Sequence, residues 1–244
     1  MTAAPTQPVV TAFDWVPGFA RGQVRDLRVR WALEEVGEPY TVRYLAQGDQ
    51  KRPDHRARQP FGQVPTYEQD GVVLFESGAI VLHVAERHPG TLLPVDGAAR
   101  ARAIEWMFAA LNTVEPPIMD HAICTLFERD RPWSAERLPA VLQRIDDRLR
   151  DLSQRLGERT WLDGDAFTAG DLLMVTVLRI VAEDGLLDGH PNLVAYVARG
   201  TARPAFRRAL DAQLAGFTGT PPPAIEAWLR AQGLDGSADG EAAR

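Results

Sequence analysis

Apolar and polar positions change their period along this chain, and the changes mark out its elements. Residues 9–15, VVTAFDW, form an almost continuous apolar run, which predicts a buried strand. A loop carrying Pro17, Gly18 and Gly22 follows. Val29, Ala32, Leu33 and Val36 then recur at helical spacing and predict one buried face of a helix, ended by Gly37 and Pro39. Alternation over 40–45 predicts a second strand. Residues 46–60 are charged and poor in apolar side chains, and predict a long exposed loop or irregular helix. Within 61–80, FGQVPTYEQDGVVLFESGAI, two apolar runs flank Asp70-Gly71, a strong two-residue hairpin signal. Ile80, Val81, Val84 and Ala85 then trace a helical face that His88-Pro89-Gly90 closes. The order strand–helix–strand implies a parallel pair with a right-handed crossover. With the hairpin added, the expectation is a mixed four-stranded sheet in a small α/β domain.

After Pro94 the strand signals stop. Ile104, Met107, Phe108 and Leu111 share a helical face, and Glu115-Pro116-Pro117 is expected to break or kink that helix. Leu138, Val141, Leu142, Ile145, Leu149, Leu152 and Leu156 form a long amphipathic stripe. At 167–172, FTAGDL, Thr168 can cap a helix, Asp171 can reach back, and Phe167 can staple onto Leu172. The helix behind it, LLMVTVLRIV, is apolar almost all round and is expected at the centre of a helical domain. Pro191 and Pro204 each start a shorter helix. The predicted division is an α/β domain over 9–90, a linker near 90–98 and an all-helical domain over 98–218. A Pro-rich segment and a disordered tail over 219–244, with at most one short helix, complete it, and residues 1–8 are expected to fray.

Composition narrows the partners more than the fold. The 244 residues are 45% hydrophobic and 25% charged, enough for a core in either arrangement. A formal net charge of -6 argues against nucleic acid and anionic membrane as partners. One cysteine, Cys124, forbids an intrachain disulfide and fits a reducing, cytoplasmic setting. Its neighbours Ile123, Leu126 and Phe127 place it in a packed helix. The first residues lack the pattern of a signal peptide, and no apolar run is long enough to span a bilayer. No metal requirement is expected.

The chemistry concentrates at 61–80. Val64-Pro65 leaves an extended backbone edge, and Glu76-Ser77 puts a carboxylate and a hydroxyl at a helix start, where free N–H groups and the helix dipole favour an anion. Alone, each residue has an ordinary role: Ser77 an N-cap, Glu76 a charge near the dipole, Pro65 a turn. Together, an edge, a turn and an anion seat describe a site for a peptide carboxylate.

Four segments in this order, RVRWALEEVGEPY at 28–40, FGQVP at 61–65, ESGAI at 76–80 and FTAGDLL at 167–173, resemble those of the glutathione transferase family. The resemblance covers about residues 9–217 and implies a thioredoxin-like first domain, an all-α helical bundle behind it, and a symmetric dimer. It also implies roles. The Val64 backbone would pair with the cysteinyl residue of glutathione, with Pro65 cis. Ser77 would take the γ-glutamyl carboxylate, Glu76 would meet the amino group, and Gln63 would help at the same end. Gln50 or Lys51 would meet the glycyl carboxylate. An electrophile would sit against Phe108, Leu111, Met119, Phe127 and Trp133. Glutathione is then co-substrate to a small electrophile, disulfide or peroxide. The alternative is a binding or protein-interaction module of the same fold with little catalytic activity.

One departure favours that alternative. Family members mostly activate the thiol with Tyr, Ser or Cys near the first helix, yet no Ser, Thr, Tyr or Cys lies between Thr11 and Tyr40. A free thiol has a pKa of about 8.5, and lowering it by two units takes about 2.7 kcal/mol of preference for the anion. One charge-assisted hydrogen bond supplies roughly 1.5–3 kcal/mol, so a single donor of another type suffices. Arg21, Arg25, Gln23 and backbone N–H groups at the first helix remain open, with Trp15 as a wall of the thiol pocket. The arginines have an alternative role as surface charge or as contacts to the second domain.

Overall fold

The computed structural model describes residues 6–234, so the ends of the chain at 1–5 and beyond 234, including the expected tail, lie outside the described residues. Strand β1 (Val9–Phe13) sits inside a four-stranded sheet of order β2-β1-β3-β4. Its apolar run is explained by that position: Val10, Thr11 and Ala12 are buried. Helix α1 (Asp26–Val36) carries the chain over to β2 (Thr41–Leu45), which pairs parallel to β1 from Val9↔Thr41 to Phe13↔Leu45. Gly37, at φ 70°, ends α1 with its N–H on the Leu33 carbonyl. The charged stretch that follows is only partly irregular, because it holds the single turn α2 (Pro53–Arg56).

Strands β3 (Thr66–Gln69) and β4 (Val72–Phe75) form the expected hairpin. Asp70 and Gly71 both adopt positive φ, 49° and 83°, as a two-residue turn of matching twist requires. Residue 6 is not frayed: the Thr6 backbone N–H and hydroxyl both donate to Asp70, at 3.0 and 2.8 Å. Helix α3 (Ser77–Arg87) then buries Ile80, Val81, Val84 and Ala85 on the sheet.

Leu92 and Leu93 are buried where the chain leaves this domain. The next helix does not break at Glu115-Pro116-Pro117. Helix α4 (Gly97–Ala109) passes through a wide π-helical turn at Ala110–Val114 into α5 (Glu115–Ala122). Proline lacks the N–H that the α ladder needs, and a widened turn just before Pro116 and Pro117 absorbs that loss without ending the helix. A second π turn, Ile123–Phe127, closes the segment. Helix α6 (Pro132–Leu156) buries Val141, Ile145, Leu149, Leu152 and Leu156 of the stripe the sequence predicts.

Helix α7 (Ala169–Ala182) is central, with every residue from Ala169 to Leu178 buried. The capping box between Thr168 and Asp171 is formed in both directions. A Cβ at Gly170 would lie 2.5 Å from Trp106 Cβ, so only glycine lets α4 cross α7 this closely. Helices α8 (Pro191–Thr201), α9 (Pro204–Ala215) and α10 (Pro223–Ala231) complete the helical domain, each with proline in its first turn.

The two domains share one core. Trp31 of α1 packs edge-on to Phe206 of α9, with ring centroids 4.9 Å apart. Buried Gln213 of α9 donates to Asp26 at the start of α1 at 2.7 Å, and Arg203 forms a two-pronged ion pair with Glu35 at 2.6 and 2.7 Å. Helix α1 is thereby fixed between the sheet and the bundle. Among the described residues no helix is long and apolar enough to cross a membrane.

Candidate functional site

The peptide edge lies where β3 begins. The Val64-Pro65 bond is cis. The Thr66 N–H donates to Thr11 Oγ1 at 2.6 Å, which ties the edge to the middle of β1. On its other side, His55 Nε2 bonds the Gln63 carbonyl at 2.7 Å. Gly62, at φ 63°, leaves no room for a side chain, since a Cβ would lie 2.8 Å from the Gln50 carbonyl oxygen. That close approach brings the 49–51 turn onto the edge, and Lys51 Nζ donates to the Gly62 carbonyl at 3.0 Å. Gln50, Lys51, Gln63, Val64 and Pro65 are therefore brought together, with the Gln50 side-chain oxygen turned inward to accept from the Gly48 N–H at 2.7 Å. Gln63 Oε1 accepts from Gln59 Nε2 at 3.4 Å.

The anion seat is the first turn of α3. Glu76 precedes it at φ 69°, a conformation that non-glycine residues adopt at a cost and that is concentrated at functional sites. Ser77 is buried, and its Oγ accepts from Arg28 Nη1 at 3.4 Å. Arg28 also donates to both Glu115 oxygens, at 3.0 and 3.3 Å. Arg25 adds two more donors to Glu115 Oε1, Nη2 at 2.7 Å and Nε at 3.1 Å. Burial alone would push the Glu115 carboxyl up, but the Arg28 and Arg25 guanidiniums outweigh it and hold the carboxyl below its ordinary range. Leu111 closes the seat from above: a Cβ on Gly78 would lie 2.5 Å from Leu111 Cδ1. The π turn is what presents Leu111 and Glu115 to α3 and α1 together.

Sequence reasoning missed Arg28 and Glu115, taking the first only as part of a helix pattern and the second as a helix breaker. The available signal was Arg25 and Arg28 three apart on the helix, with Arg28 beside the buried face.

The loop from 14 to 25 forms the other wall. The Trp15 carbonyl accepts from Gln47 Nε2 at 3.0 Å. Arg21 leans on the second domain, with Nη2 3.5 Å from the Phe217 carbonyl and its guanidinium 5.6 Å from the Phe217 ring centre. Of the two roles open to the arginines, both Arg21 and Arg25 make the interdomain contact. Gln23 is half-buried beside a small cavity shared with Arg28, Thr176 and Arg179. Phe19, 37% exposed, meets Phe127 of the second domain, 49% exposed, edge to face at 6.2 Å. Phe19 was not among the expected electrophile contacts.

Those expected contacts are spread over one helical segment and the turn after it. Phe108 in α4 and Phe127 at the end of the second π turn lie 19 positions apart on one continuous helical segment. Leu111 covers the anion seat and Met119 is half-buried in α5, while Phe127 and Trp133 flank the turn into α6. Cys124 is buried in the second π turn.

The end of the described chain straps this side of the cleft. The Gly219 N–H donates to the Asp14 carbonyl at 2.8 Å. Farther on, Gln232 accepts from Arg129 Nε at 2.9 Å and donates to Asp130 at 2.8 Å. Helix α10 runs between these two ties.

Comparison with known proteins agrees with this geometry. Residues 18–86 match the N-terminal domain family of glutathione S-transferases, and residues 114–204 match the C-terminal domain family. The chain is 30% identical to glutathione S-transferase 4 of Zea mays, over 81% of this chain and 90% of the relative. It is 31% identical to glutathione S-transferase GstA of Escherichia coli O157:H7, over 74% of this chain and 90% of the relative. Among solved structures it is similar to a Burkholderia graminis glutathione transferase with two glutathione molecules bound per subunit. The TM-score is 0.73 at 25% identity, covering 84% of this chain and 88% of that one.

Proposed function

The chain belongs to the glutathione S-transferase family, and from that premise we propose that it binds glutathione along 61–80 and delivers its thiolate to an electrophile. The observation that carries this reading is the β3–β4 pairing of Thr66 with Phe75, which sets the cis Val64-Pro65 edge beside a buried serine at a helix start backed by Arg28. The Val64 backbone pairs with the cysteinyl residue. Ser77 and the α3 N–H groups take the γ-glutamyl carboxylate, and Glu76 and Gln63 face the amino group. Lys51 and Gln50, carried on the turn against Gly62, meet the glycyl carboxylate. Arg28 lies buried behind Ser77 and fixes its hydroxyl while adding positive potential to the seat.

The thiol loses its proton to solvent, and the sulfur attacks carbon. A C–S bond forms as the leaving group departs with its electron pair. With a disulfide as electrophile, the sulfur forms a mixed disulfide and the other sulfur leaves as thiolate. Phe19 and Phe127, with Trp133 at the same turn, give the electrophile an apolar, aromatic wall. The two glutathione molecules in the Burkholderia graminis relative support a disulfide containing glutathione as one such substrate.

A second reading, a glutathione-binding module with little turnover, is favoured by the absence of Ser, Thr, Tyr and Cys across 12–39. Titrating the thiolate absorbance of bound glutathione separates the two. A bound thiol that ionises at least about one unit below the free value of about 8.5 supports the enzyme, and one that ionises at the free value supports the module. The same proposal takes the protein as cytoplasmic, divided at 90–98, and acting in detoxification as a homodimer, with the first domain of one subunit on the second domain of the other. Light scattering after size exclusion that gives only monomer at micromolar concentration refutes the dimer.

A further inference from the structure

This inference rests on the glutathione reading and concerns the group that makes the thiol reactive. β1 and β3 are antiparallel, with Val10 opposite Tyr67, so the end of β1 and the start of β3 share one edge of the sheet. A peptide running from Ser77 along Val64 therefore has residues 14–25 as its wall. Its central residue, the one bearing the thiol, then faces that wall.

Most donors there are committed. The Thr11 hydroxyl is buried against Thr66, at 3.1 Å from its Oγ1 and accepting its N–H. Arg21 is drawn to Phe217, and Arg25 and Arg28 to Glu115. Among the described residues of the wall, two side-chain N–H donors make no hydrogen bond within the protein: the Trp15 indole and the Gln23 carboxamide. The Trp15 backbone is bonded to Gln47, just past β2, and β2 lies on the side of β1 away from β3. Gln23 lies just before α1 and lines a small cavity with Arg28, the residue whose guanidinium bonds Ser77. Its own N–H is satisfied by the Ala20 carbonyl at 3.0 Å, which fixes the backbone and leaves the carboxamide free. The surroundings favour an anion. Arg179 donates to the Gly22 carbonyl at 2.8 Å, and the positive end of the α1 dipole points the same way.

We propose that the Gln23 carboxamide donates the hydrogen bond that holds the glutathione sulfur as thiolate, where most of the family presents a hydroxyl or thiol. Gln23 is then a catalytic residue, touching the reacting atom.

Thiolate absorbance of bound glutathione, titrated in wild type, Gln23→Ala, Gln23→Asn and Gln23→Glu, tests this, with affinity for S-methylglutathione measured in parallel. The alanine and asparagine variants are expected to raise the pKa of the bound thiol by about one unit, a tenfold loss of thiolate at a fixed lower pH. Glutamate, which adds a like charge, raises it further. S-methylglutathione, which has no thiol, binds all four proteins equally. A titration unchanged in Gln23→Ala overturns the proposal, as does one that moves only in Trp15→Phe. Parallel loss of S-methylglutathione binding in Gln23→Ala overturns it too, since Gln23 is then a peptide contact. If wild type fails to bind S-methylglutathione, the glutathione reading itself falls.

Discussion

The two walls of the cleft are built by opposite means. At Ser77 a helix start is backed by a buried arginine, which is fixed by a carboxylate from the second domain, which is held by a second arginine. Arg28 and Glu115 each have two partners, and the chain of contacts crosses the domain boundary twice. The wall at 14–24 is a loop whose Arg21 is spent on the other domain and whose aromatic side chain, Phe19, stands partly in solvent against Phe127. Holding a peptide carboxylate needs fixed charge and a fixed helix end. Presenting a thiol to varied electrophiles needs a surface that can change without disturbing that seat. The first wall is therefore expected to govern stability and glutathione affinity, and the second turnover and electrophile choice.

The sharpest way to break this contrast is Glu115→Ala. It strands the Arg28 charge in a buried site, and removing one partner of a buried pair costs about 3–5 kcal/mol. Urea unfolding measures this, and a loss well under 1 kcal/mol contradicts the picture of a charge-built wall. The pH dependence follows from the lowered Glu115 pKa. Its contribution is fully present above the ordinary carboxylate range and is lost as pH falls through the depressed folded value. The stability gap between wild type and Glu115→Gln is thus expected to close in acid and not in base.

Ser77→Ala separates binding from folding on the same wall. Glutathione affinity, read by calorimetry, is expected to fall about 10- to 100-fold, the value of one hydrogen bond to a charged group. Unfolding changes by no more than about 1 kcal/mol, because Arg28 keeps Glu115. Phe19→Ala makes the converse cut. It is expected to raise KM for an aromatic electrophile about two- to tenfold, the worth of an aromatic pair, and to leave glutathione affinity unchanged. Smallest is Glu76→Gly, with opposite signs in two assays. Glycine tolerates φ 69°, so stability rises by up to about 1 kcal/mol while glutathione affinity drops.

The same contrast governs what could be read from the sequence. Strand edges, the Asp70-Gly71 turn, the Gly37 stop and the Thr168/Asp171 cap are local signals, legible because neighbours in the chain determine them. Val64-Pro65 and Glu76-Ser77 were legible for the same reason. Arg28 and Glu115 meet across 87 positions, and no periodicity announces such a pair. Phe19 and Phe127 meet only because the first π turn lets the helix run on past two prolines. Proline by itself predicts a break, and the hydrogen-bond ladder had another solution. Helical spacing fixes a face but not how far along it a partner reaches, so the shared face of Phe108 and Leu111 did not tell which of them meets α3.

The strap at 217–232 has a practical consequence for handling the protein. Gln232 is pinned to Arg129 and Asp130, so a fusion or affinity handle placed after residue 234 begins near the turn that carries Phe127, the wall proposed for an electrophile. Thr6 is pinned to Asp70, at the far end of β3 from Pro65. Immobilising the protein through its front end keeps that wall clear, and a sensor or column built the other way round would obstruct its own substrate.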